Sequence, residues 1–394
     1  MIAILISPLY ILINIYIVKW LIKWTETCSK IFKNKIIKYI VIITYIFFAS
    51  SFITGFFLPY KKIKIIGNYF LGVIQYIVLI VVLADLIRIL LKKTKIVNEK
   101  ILSSKITFII SGSICILLTI LLSTYGVIHS KKIVYTDYNV NIDKITNIDN
   151  LKISLVSDIH LGYNTHLSHI KKMVDMINNS NSDLVLIAGD IFDNNYEAIG
   201  NDEDIINELK RIKSKYGVYA VYGNHDIDEK ILAGFTFNWD KSEVLIDPRM
   251  EEFLSKSNIK TLRDETILID DSFYLIGRLD YHKYGIKINE RKTIEELIKD
   301  IDIDKPIIVL DHEPYELNEL SNNNVDLDLS GHTHNGQMFP SNILLKVIWD
   351  NPYGLLKVGN MTSIVTSGIG VYGPNMRVLT TAEVVNINVN FKTE

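Results

Sequence analysis

Cysteine is scarce in this chain, and its distribution is uneven. Of the 394 residues only Cys28 and Cys115 are cysteines, and both precede residue 130. The rest of the chain therefore contains no disulfide, and it cannot hold a metal through thiolates. That exclusion holds whatever compartment the protein occupies.

Acidic residues are almost missing from the same first part. Residues 1–130 hold 15 Lys and Arg but only 3 Asp and Glu, whereas residues 131–394 hold 27 and 41. The net charges are therefore +12 and −14, and the two parts are expected to be different physical objects. The acidic second part disfavours nucleic acid as a partner, because phosphate contacts need Lys and Arg.

Long apolar stretches fill the first part, in a chain that is 48% hydrophobic with a mean hydropathy of +0.22. Four stretches approach or reach the roughly 20 residues that cross a hydrocarbon core, namely 2–18, 36–58, 69–91 and 106–128. The first lacks a preceding basic residue and a small-residue cleavage site, so it does not have the features of a cleavable signal. We predict an all-α transmembrane region of about four helices in residues 1–130, a second domain in residues 131–394, and a membrane as partner.

Basic residues in the connections predict the orientation of these helices. The first and third connections together carry twelve Lys and Arg, six at positions 19–38 and six at positions 88–105. The second connection and the segment after the fourth stretch carry five. Because cytoplasmic loops are enriched in Lys and Arg, the first and third connections are expected in the cytoplasm. The second domain would then be extracytoplasmic.

Five short motifs in the second part each begin where a short apolar run ends. Such runs are typical of buried strands, and they cover 153–156, 184–188, 218–222, 307–310 and 325–329. The motifs are S-D-I-H-L-G from 157, G-D-I-F-D from 189, G-N-H-D from 223, D-H-E-P from 311 and S-G-H-T-H-N-G-Q from 330. Helices predicted at 165–179 and 204–214 separate the first three strands, which indicates an α/β fold with its site at the strands' carboxyl ends.

Other segments of the second part are less specific. Further strands are predicted at 133–142 and in a strand-rich tail over 365–391, where apolar residues alternate with asparagines. His166 and His169 are three apart in the helix predicted at 165–179. A solvated helix face is the favoured interpretation of this pair, and a metal pair is the alternative.

The motifs supply seven candidate metal ligands with nitrogen or oxygen donors. Seven donors are too many for one tetrahedral ion, and they suit two divalent ions, about 3.5–4 Å apart, that share a bridging carboxylate. Mn, Zn and Fe all accept such mixed ligands. The seven residues are Asp158, His160, Asp190, Asn224, His312, His332 and His334.

Two ions of this kind suit phosphate-ester hydrolysis, because they provide hydroxide at neutral pH and neutralise the non-bridging oxygens. The leaving oxygen needs a proton, and His225 is placed beside Asn224 to supply it. Asp226 is expected to hold the orientation of the His225 ring. His225 and Asp226 are therefore the candidate catalytic residues.

Taken together, the ordered motifs resemble those of the calcineurin-like metallophosphoesterase superfamily over about residues 131–394. The likeness is greatest to a bacterial phosphodiesterase-type branch that is often attached to the membrane, and it extends to Gly368-Ile369-Gly370 and Met376-Arg377. The resemblance implies a four-layer α/β/β/α sandwich with a binuclear metal centre. It also implies a bacterial cell membrane as the location.

The resemblance further implies a role for each motif residue. One metal would be held by Asp158, His160 and His334, and the other by Asn224, His312 and His332, with Asp190 as the bridge. His225 would be the catalytic histidine, and Asp193 would support the ligands rather than bind metal. The chain departs from the branch at Asn335, where Gly is usual, and this departure puts substrate selection in question.

These observations favour a membrane-anchored phosphodiesterase or pyrophosphatase that hydrolyses a lipid headgroup or another envelope phosphoester. The alternative from a different class is a non-catalytic membrane module that keeps the metal fold for signalling or ligand binding. Nuclease and protein phosphatase activities are disfavoured by the acidic domain and the membrane tether.

Overall fold

The computed structural model describes residues 2–58, 60–229, 231–232, 235–236, 246–283 and 291–392. The chain divides into two compact units. The helical unit consists of Met1–Ile128 with the short segments Lys230–Phe237 and Gly373–Met376, and the sheet unit is the remainder.

The helical unit is dominated by four long helices. The helices are α1 (Ile2–Cys28), α2 (Lys35–Phe57), α3 (Lys61–Thr94), the short α4 (Glu99–Leu102) and α5 (Lys105–His129). The helices α2, α3 and α5 are long and apolar enough to cross a membrane. Large apolar side chains such as Ile36, Ile43 and Ile106 are exposed, as expected for lipid-facing surfaces.

About four spans are predicted from the sequence, and the described residues contain three candidate spans. The first predicted stretch lies in α1, and its crossing of a membrane stays a prediction. This helix continues to Cys28, so Lys19 and Lys23 lie within it rather than in a connection.

Polar side chains in α1 and α2 bond to partners inside the helical unit. The Tyr45 hydroxyl donates to Asn14 Oδ1 at 2.8 Å, and the Tyr10 hydroxyl donates to the carbonyl of Ala49 at 2.7 Å. Polar groups in lipid need internal partners, and these bonds join the two helices.

The sheet unit contains two six-stranded sheets. In order across the first sheet lie β1 (Ile133–Ile145), β14 (Ala382–Lys392), β2 (Asn150–Val156), β3 (Leu184–Ala188), β4 (Val218–Val221) and β7 (Ile259–Thr261). In order across the second lie β12 (Gly354–Val358), β13 (Met361–Val365), β11 (Leu327–Ser330), β10 (Ile307–Leu310), β9 (Phe273–Gly277) and β8 (Glu265–Ile269). The hairpin β5 (Ile231–Leu232) and β6 (Phe235–Thr236) belongs to the helical unit.

Helices cover the outer faces of both sheets. They are α6 (Leu167–Ser180), α7 (Asp202–Leu209), α8 (Pro248–Lys256), α9 (Ile294–Ile298) and α10 (Leu317–Asn322). A further helix, α11 (Ser341–Ile348), has no buried residue. One apolar core joins the first sheet to α6, α7 and α8, a second lies between the sheets, and a third joins the second sheet to α9 and α10. The unit is therefore the four-layer α/β/β/α sandwich that the resemblance implied.

The strand β3 illustrates how the sequence produces these layers. All five of its residues are buried. Leu184 and Leu186 point into the core between the sheets, whereas Val185 and Ile187 point into the core beneath the helices. A strand covered on both faces is apolar throughout, which is why it occurs as an uninterrupted run.

The strand predicted at 133–142 is β1, and its partner β14 accounts for the alternating tail. The two strands pair in parallel, with Ile133 opposite Ala382 and Val140 opposite Val389. On the more exposed face of this pair, Asn386 Nδ2 donates to Asp137 Oδ1 at 2.9 Å. The strand-rich tail begins as a strand at Ala382, and the described residues between β13 and β14 form loops.

Candidate metal centre

The seven candidate ligands all follow strands, and the sheets bring them together. The strands β2, β3 and β4 are parallel neighbours, as are β10 and β11, so their carboxyl ends lie at shared edges. Asp158 and His160 follow β2, Asp190 follows β3, Asn224 follows β4, His312 follows β10, and His332 and His334 follow β11.

Asp158, His160 and His334 form the first cluster of potential ligands, and all three are buried. The Nε2 atoms of His160 and His334 are 3.1 Å apart, and His334 Nε2 lies 3.3 Å from Asp158 Oδ1. Three lone-pair donors from two strand ends thus converge on one point.

Asp190, His312 and His332 form the second cluster. His312 Nε2 lies 3.2 Å from Asp190 Oδ2, 3.1 Å from His332 Nδ1 and 3.1 Å from Asn224 Oδ1. Asp190 Oδ2 also lies 3.8 Å from His160 Nε2. Asp190, a member of the second cluster, therefore also lies close to the first.

The chemistry of this donor set fits divalent metal ions. Burial lowers the pKa of His160 to about 4 and that of His332 to about 3, so both rings are neutral and offer lone pairs at pH 7. Asp158 Oδ1 is buried without a hydrogen-bond partner among the described residues. Buried carboxylate oxygen and imidazole nitrogen in this arrangement are ligands that Mn, Fe and Zn accept.

The charges in the second cluster favour a cation beside the Asp190 carboxylate. Burial alone would lower the pKa of His312, but the charges of Asp190 and Asp158 outweigh it, and that pKa lies well above its usual value. Burial would likewise raise the pKa of Asp190, yet the positive charge of His312 holds it well below its usual value. A buried carboxylate here is stable only beside a cation.

Five of the seven candidate ligands have left-handed backbone conformations. Such conformations cost a non-glycine residue about 1–3 kcal/mol and persist where the surrounding structure enforces them. Their φ angles are 52° at Asp158, 49° at His160, 49° at Asp190, 69° at His332 and 50° at His334. Strain of this kind, repeated at consecutive strand ends, marks a functional site.

Two glycines allow the strand ends to approach one another. A Cβ atom on Gly331 would lie 2.0 Å from Ser157 Oγ, and one on Gly223 would lie 2.3 Å from Asp190 Oδ1. Neither contact is possible for a real Cβ atom. The glycines in the G-H-T-H and G-N-H-D motifs are therefore required by close packing beside the clusters.

His225 lies beside both clusters and is fixed at its backbone and at its ring. Its backbone N–H donates to Asp190 Oδ1 at 2.8 Å, and its ring Nδ1 contacts Asn194 Oδ1. Burial lowers its pKa well below the usual value, despite the opposing charge of Asp190. The ring is neutral at pH 7.

The role expected of Asp226 is wrong. Its Oδ1 accepts the backbone N–H of Phe192 and its Oδ2 accepts that of Gly223, each at 2.7 Å. Both oxygens are thus used to fix the turn after β4. Among the described residues, Asn194 holds the ring of His225, and this role was not predicted from the sequence. In the sequence, the one indication of this role was that Asn194 directly follows Asp193.

Asp193 and Asn335 lie at the edge of the clusters. Asp193 Oδ1 is 4.0 Å from His160 Nδ1, close to a ligand as the resemblance implied. Asn335 has a φ of 50°, a conformation that Asn tolerates better than most side chains. The replacement of the family's usual glycine therefore preserves the local backbone.

Three further features were not predicted, or only in part. Arg377 is fully buried and donates to the carbonyls of Ser367 and Gly370, each at 2.7 Å, in the loop beside Asp158. Tyr372 packs against His225, with ring centroids 4.2 Å apart. His169 is half-buried and its Nε2 lies 2.9 Å from the Ile369 carbonyl, so it is less solvated than expected.

The fold and the paired clusters define this protein's class, a metal-binding phosphoesterase sandwich joined to a helical unit with candidate membrane spans. Residues 151–336 match the family model described as calcineurin-like phosphoesterase. The chain carries a calcineurin-like metallophosphoesterase domain, as the ordered motifs indicated.

Relatives with this domain occur in animals and in bacteria. The chain is 30% identical over 284 residues to a Danio rerio protein named transmembrane protein with metallophosphoesterase domain, covering 70% of this chain and 61% of that one. It is 32% identical over 252 residues to an uncharacterised metallophosphoesterase of Campylobacter jejuni, covering 61% and 60%. It is 26% identical over 279 residues to one of Aquifex aeolicus, covering 70% and 98%. The chain thus spans about 60% of the first two relatives, and its bacterial origin stays a prediction.

Proposed function

We propose that this protein is a membrane-anchored, metal-dependent phosphoesterase, and more specifically a phosphodiesterase or pyrophosphatase. The observation that carries the proposal is the convergence of two buried clusters, with Asp190 of the second cluster also close to the first. Asp158, His160 and His334 would hold one ion, and Asn224, His312 and His332 the other. When bound, two such ions supply hydroxide at neutral pH and offset the charge of the phosphoryl oxygens.

His225 is proposed to give a proton to the leaving oxygen. Since Asn194 Oδ1 can only accept a hydrogen bond, it selects the ring form with the proton on Nδ1, which leaves Nε2 for transfer. The ring is neutral without substrate because burial lowers its pKa. An anionic phosphoester beside the ring favours its charged form, so the ring would gain its second proton as substrate binds.

The proposed substrate is a phosphoester of the membrane or envelope, with a lipid headgroup as the first candidate. The first strand of the sheet unit begins at Ile133, shortly after α5 ends at His129, so the domain is tethered directly to a candidate span. In addition, α11 exposes 61% of Leu344 and 87% of Val347 close in sequence to His334. An extracytoplasmic domain at a bacterial cell membrane stays part of this proposal.

The full-length protein in nanodiscs, stripped of metal and resupplied with Mn²⁺ or Zn²⁺, tests the activity. We expect hydrolysis of a chromogenic phosphodiester only after metal is restored, with less hydrolysis of the corresponding monoester. Turnover of phospholipid or lipid-pyrophosphate substrates in the same discs would identify the substrate class. Metal binding without turnover of any of these compounds would favour the non-catalytic module.

His225→Ala tests the assignment of the proton donor. We expect kcat to fall by about 10²–10⁴-fold, the usual contribution of general acid–base catalysis, with bound metal unchanged. His166→Ala is the matched control, because His166 is an exposed histidine outside both clusters. Wild-type turnover in His225→Ala would rule out this role.

A further inference from the structure

Tyr372 lies on the candidate metal centre, and the proposed function gives it no role. Its ring centroid is 4.2 Å from that of His225 and 5.3 Å from that of His160, with interplanar angles of 37° and 33°. It therefore contacts both the proposed proton donor and a proposed metal ligand.

The backbone of Tyr372 is fixed by a side chain from the turn that carries His334. The Tyr372 N–H donates to Gln337 Oε1 at 2.8 Å, and Gln337 Nε2 donates to the Tyr372 carbonyl at 2.9 Å. The Gln337 carbonyl in turn accepts the Thr380 hydroxyl at 2.6 Å. Tyr372 is therefore bonded to the same turn that carries His334.

The hydroxyl of Tyr372 is buried and has no hydrogen-bond partner among the described residues. A buried donor left unsatisfied costs about 1–3 kcal/mol, so such groups are usually completed by a ligand or water. The phenol hydroxyl of tyrosine has an ordinary pKa of about 10. The hydroxyl keeps its proton at neutral pH and can donate to an anion.

We propose that Tyr372 is a further catalytic residue, whose hydroxyl donates a hydrogen bond to a non-bridging oxygen of the phosphoryl group beside His225. The inference rests on the proposed function. A neutral donor fixed where negative charge accumulates stabilises the transition state without transferring a proton. No bond to Tyr372 forms or breaks, and the ligand recognised is a tetrahedral oxyanion.

Tyr372→Phe in the metal-loaded, full-length protein tests this role. The variant keeps the ring against His225 and removes only the hydroxyl. We expect kcat for a chromogenic phosphodiester to fall about 100-fold, the lower end for loss of one oxyanion donor. Inhibition by inorganic phosphate and vanadate should weaken at least tenfold, while metal content stays at the wild-type value. The midpoint of thermal unfolding should hold or rise, because an unsatisfied buried hydroxyl is removed.

Tyr222→Phe is the matched control. Tyr222 is also a buried tyrosine of the sheet unit, but its ring packs on the Arg263 guanidinium at 4.7 Å. Its kcat and phosphate inhibition should remain at wild-type values.

Two results would overturn the role of Tyr372. One is unchanged kcat and unchanged oxyanion inhibition in Tyr372→Phe, which would leave the proposed function intact. The other is a loss of activity that coincides with a lowered unfolding midpoint and lost metal, which would show a structural role only. If the wild type has no turnover, the proposed function fails. Direct binding of phosphate to the metal-loaded wild type and to metal-loaded Tyr372→Phe would still measure what the hydroxyl contributes.

Discussion

At the scale of single residues, the sheet unit contains carboxyl groups whose pKa is raised by burial. Asp328 in β11 is one example, and it is neither a proposed metal ligand nor a proposed catalytic residue. Its Oδ2 accepts the Ser363 hydroxyl at 2.9 Å, and its Oδ1 has no hydrogen-bond partner among the described residues. Burial, followed by the charge of Asp311, raises the pKa of Asp328 to about 7.

This residue should make stability depend on pH. Its folded pKa, about 7, exceeds its usual value of 3.8, so the folded state binds the proton more tightly and stability falls as pH rises from about 4 to 7. We expect Asp328→Asn to reduce the difference in thermal unfolding midpoint between pH 5 and pH 8. Other buried carboxyls contribute to the wild-type difference, and the comparison isolates Asp328. Equal differences in wild type and variant would contradict the assignment.

The candidate ligands could be predicted from sequence because each directly follows an apolar strand. The contacts of Asn194 and Tyr372 could not, because they join residues 31 and 35 positions apart through loops. Asp226 shows the opposite error. It adjoins His225 in the chain, yet the turn after β4 directs its carboxylate to the backbone of Phe192 and Gly223. Two residues that are adjacent in a turn can therefore bond to different groups, as the side chains of His225 and Asp226 do.

At the scale of elements, β3 is the strand that delivers Asp190, and all five of its residues are buried. Leu186 lies in the core between the sheets, where truncation leaves a cavity that rigid layers cannot fill. The geometry of the metal centre therefore depends on apolar contacts on both faces of this strand.

Leu186→Ala should lower the free energy of unfolding by about 2–5 kcal/mol, the usual cost of a leucine truncation in a packed core. The change is measured by thermal or denaturant unfolding of the full-length protein in detergent. Ile303→Ala is the control, since Ile303 is 46% exposed and its truncation opens no internal cavity. Equal stabilities of the two variants would show that the sheets repack.

Several strands buried on both faces were predicted, and so was the half-exposed β1, but the fully buried β13 was missed. The five predicted apolar runs correspond to β2, β3, β4, β10 and β11. The strands β8 and β12 were missed because exposed and half-exposed residues interrupt their apolar pattern. The helix predicted at 204–214 ends at Leu209, and Asn178 Oδ1 accepts the N–H of Lys213 at 2.8 Å beyond its end. A tertiary bond of this kind cannot be deduced from periodicity.

At the scale of the whole molecule, charge separates the two parts of the chain. The first 130 residues carry a net charge of +12 and the remainder −14. Twelve of the basic residues flank the first and third connections between long helices, which predicts that these connections are cytoplasmic.

Orientation can be measured with reporters fused after His129. We expect a periplasm-active phosphatase reporter to function there and a cytoplasm-active reporter to be silent, because α5 should exit on the outer side. A fusion in the connection between α3 and α5 is the internal control and should show the reverse. An active cytoplasmic reporter after His129 would invert the proposed topology.

The pairing of β1 with β14 also determines how late in synthesis β1 can join its partner strand. Within the described part of the chain, β1 is an edge strand with β14 as its one hydrogen-bonded neighbour, and the two are separated by about 240 residues of chain. At synthesis rates of about 5–20 residues per second, β1 would wait roughly 12–50 seconds for its partner to be made. Its exposed edge is meanwhile a template for misplaced pairing. Biogenesis of this protein should therefore be more sensitive to the loss of chaperones than to the loss of a few stabilising contacts.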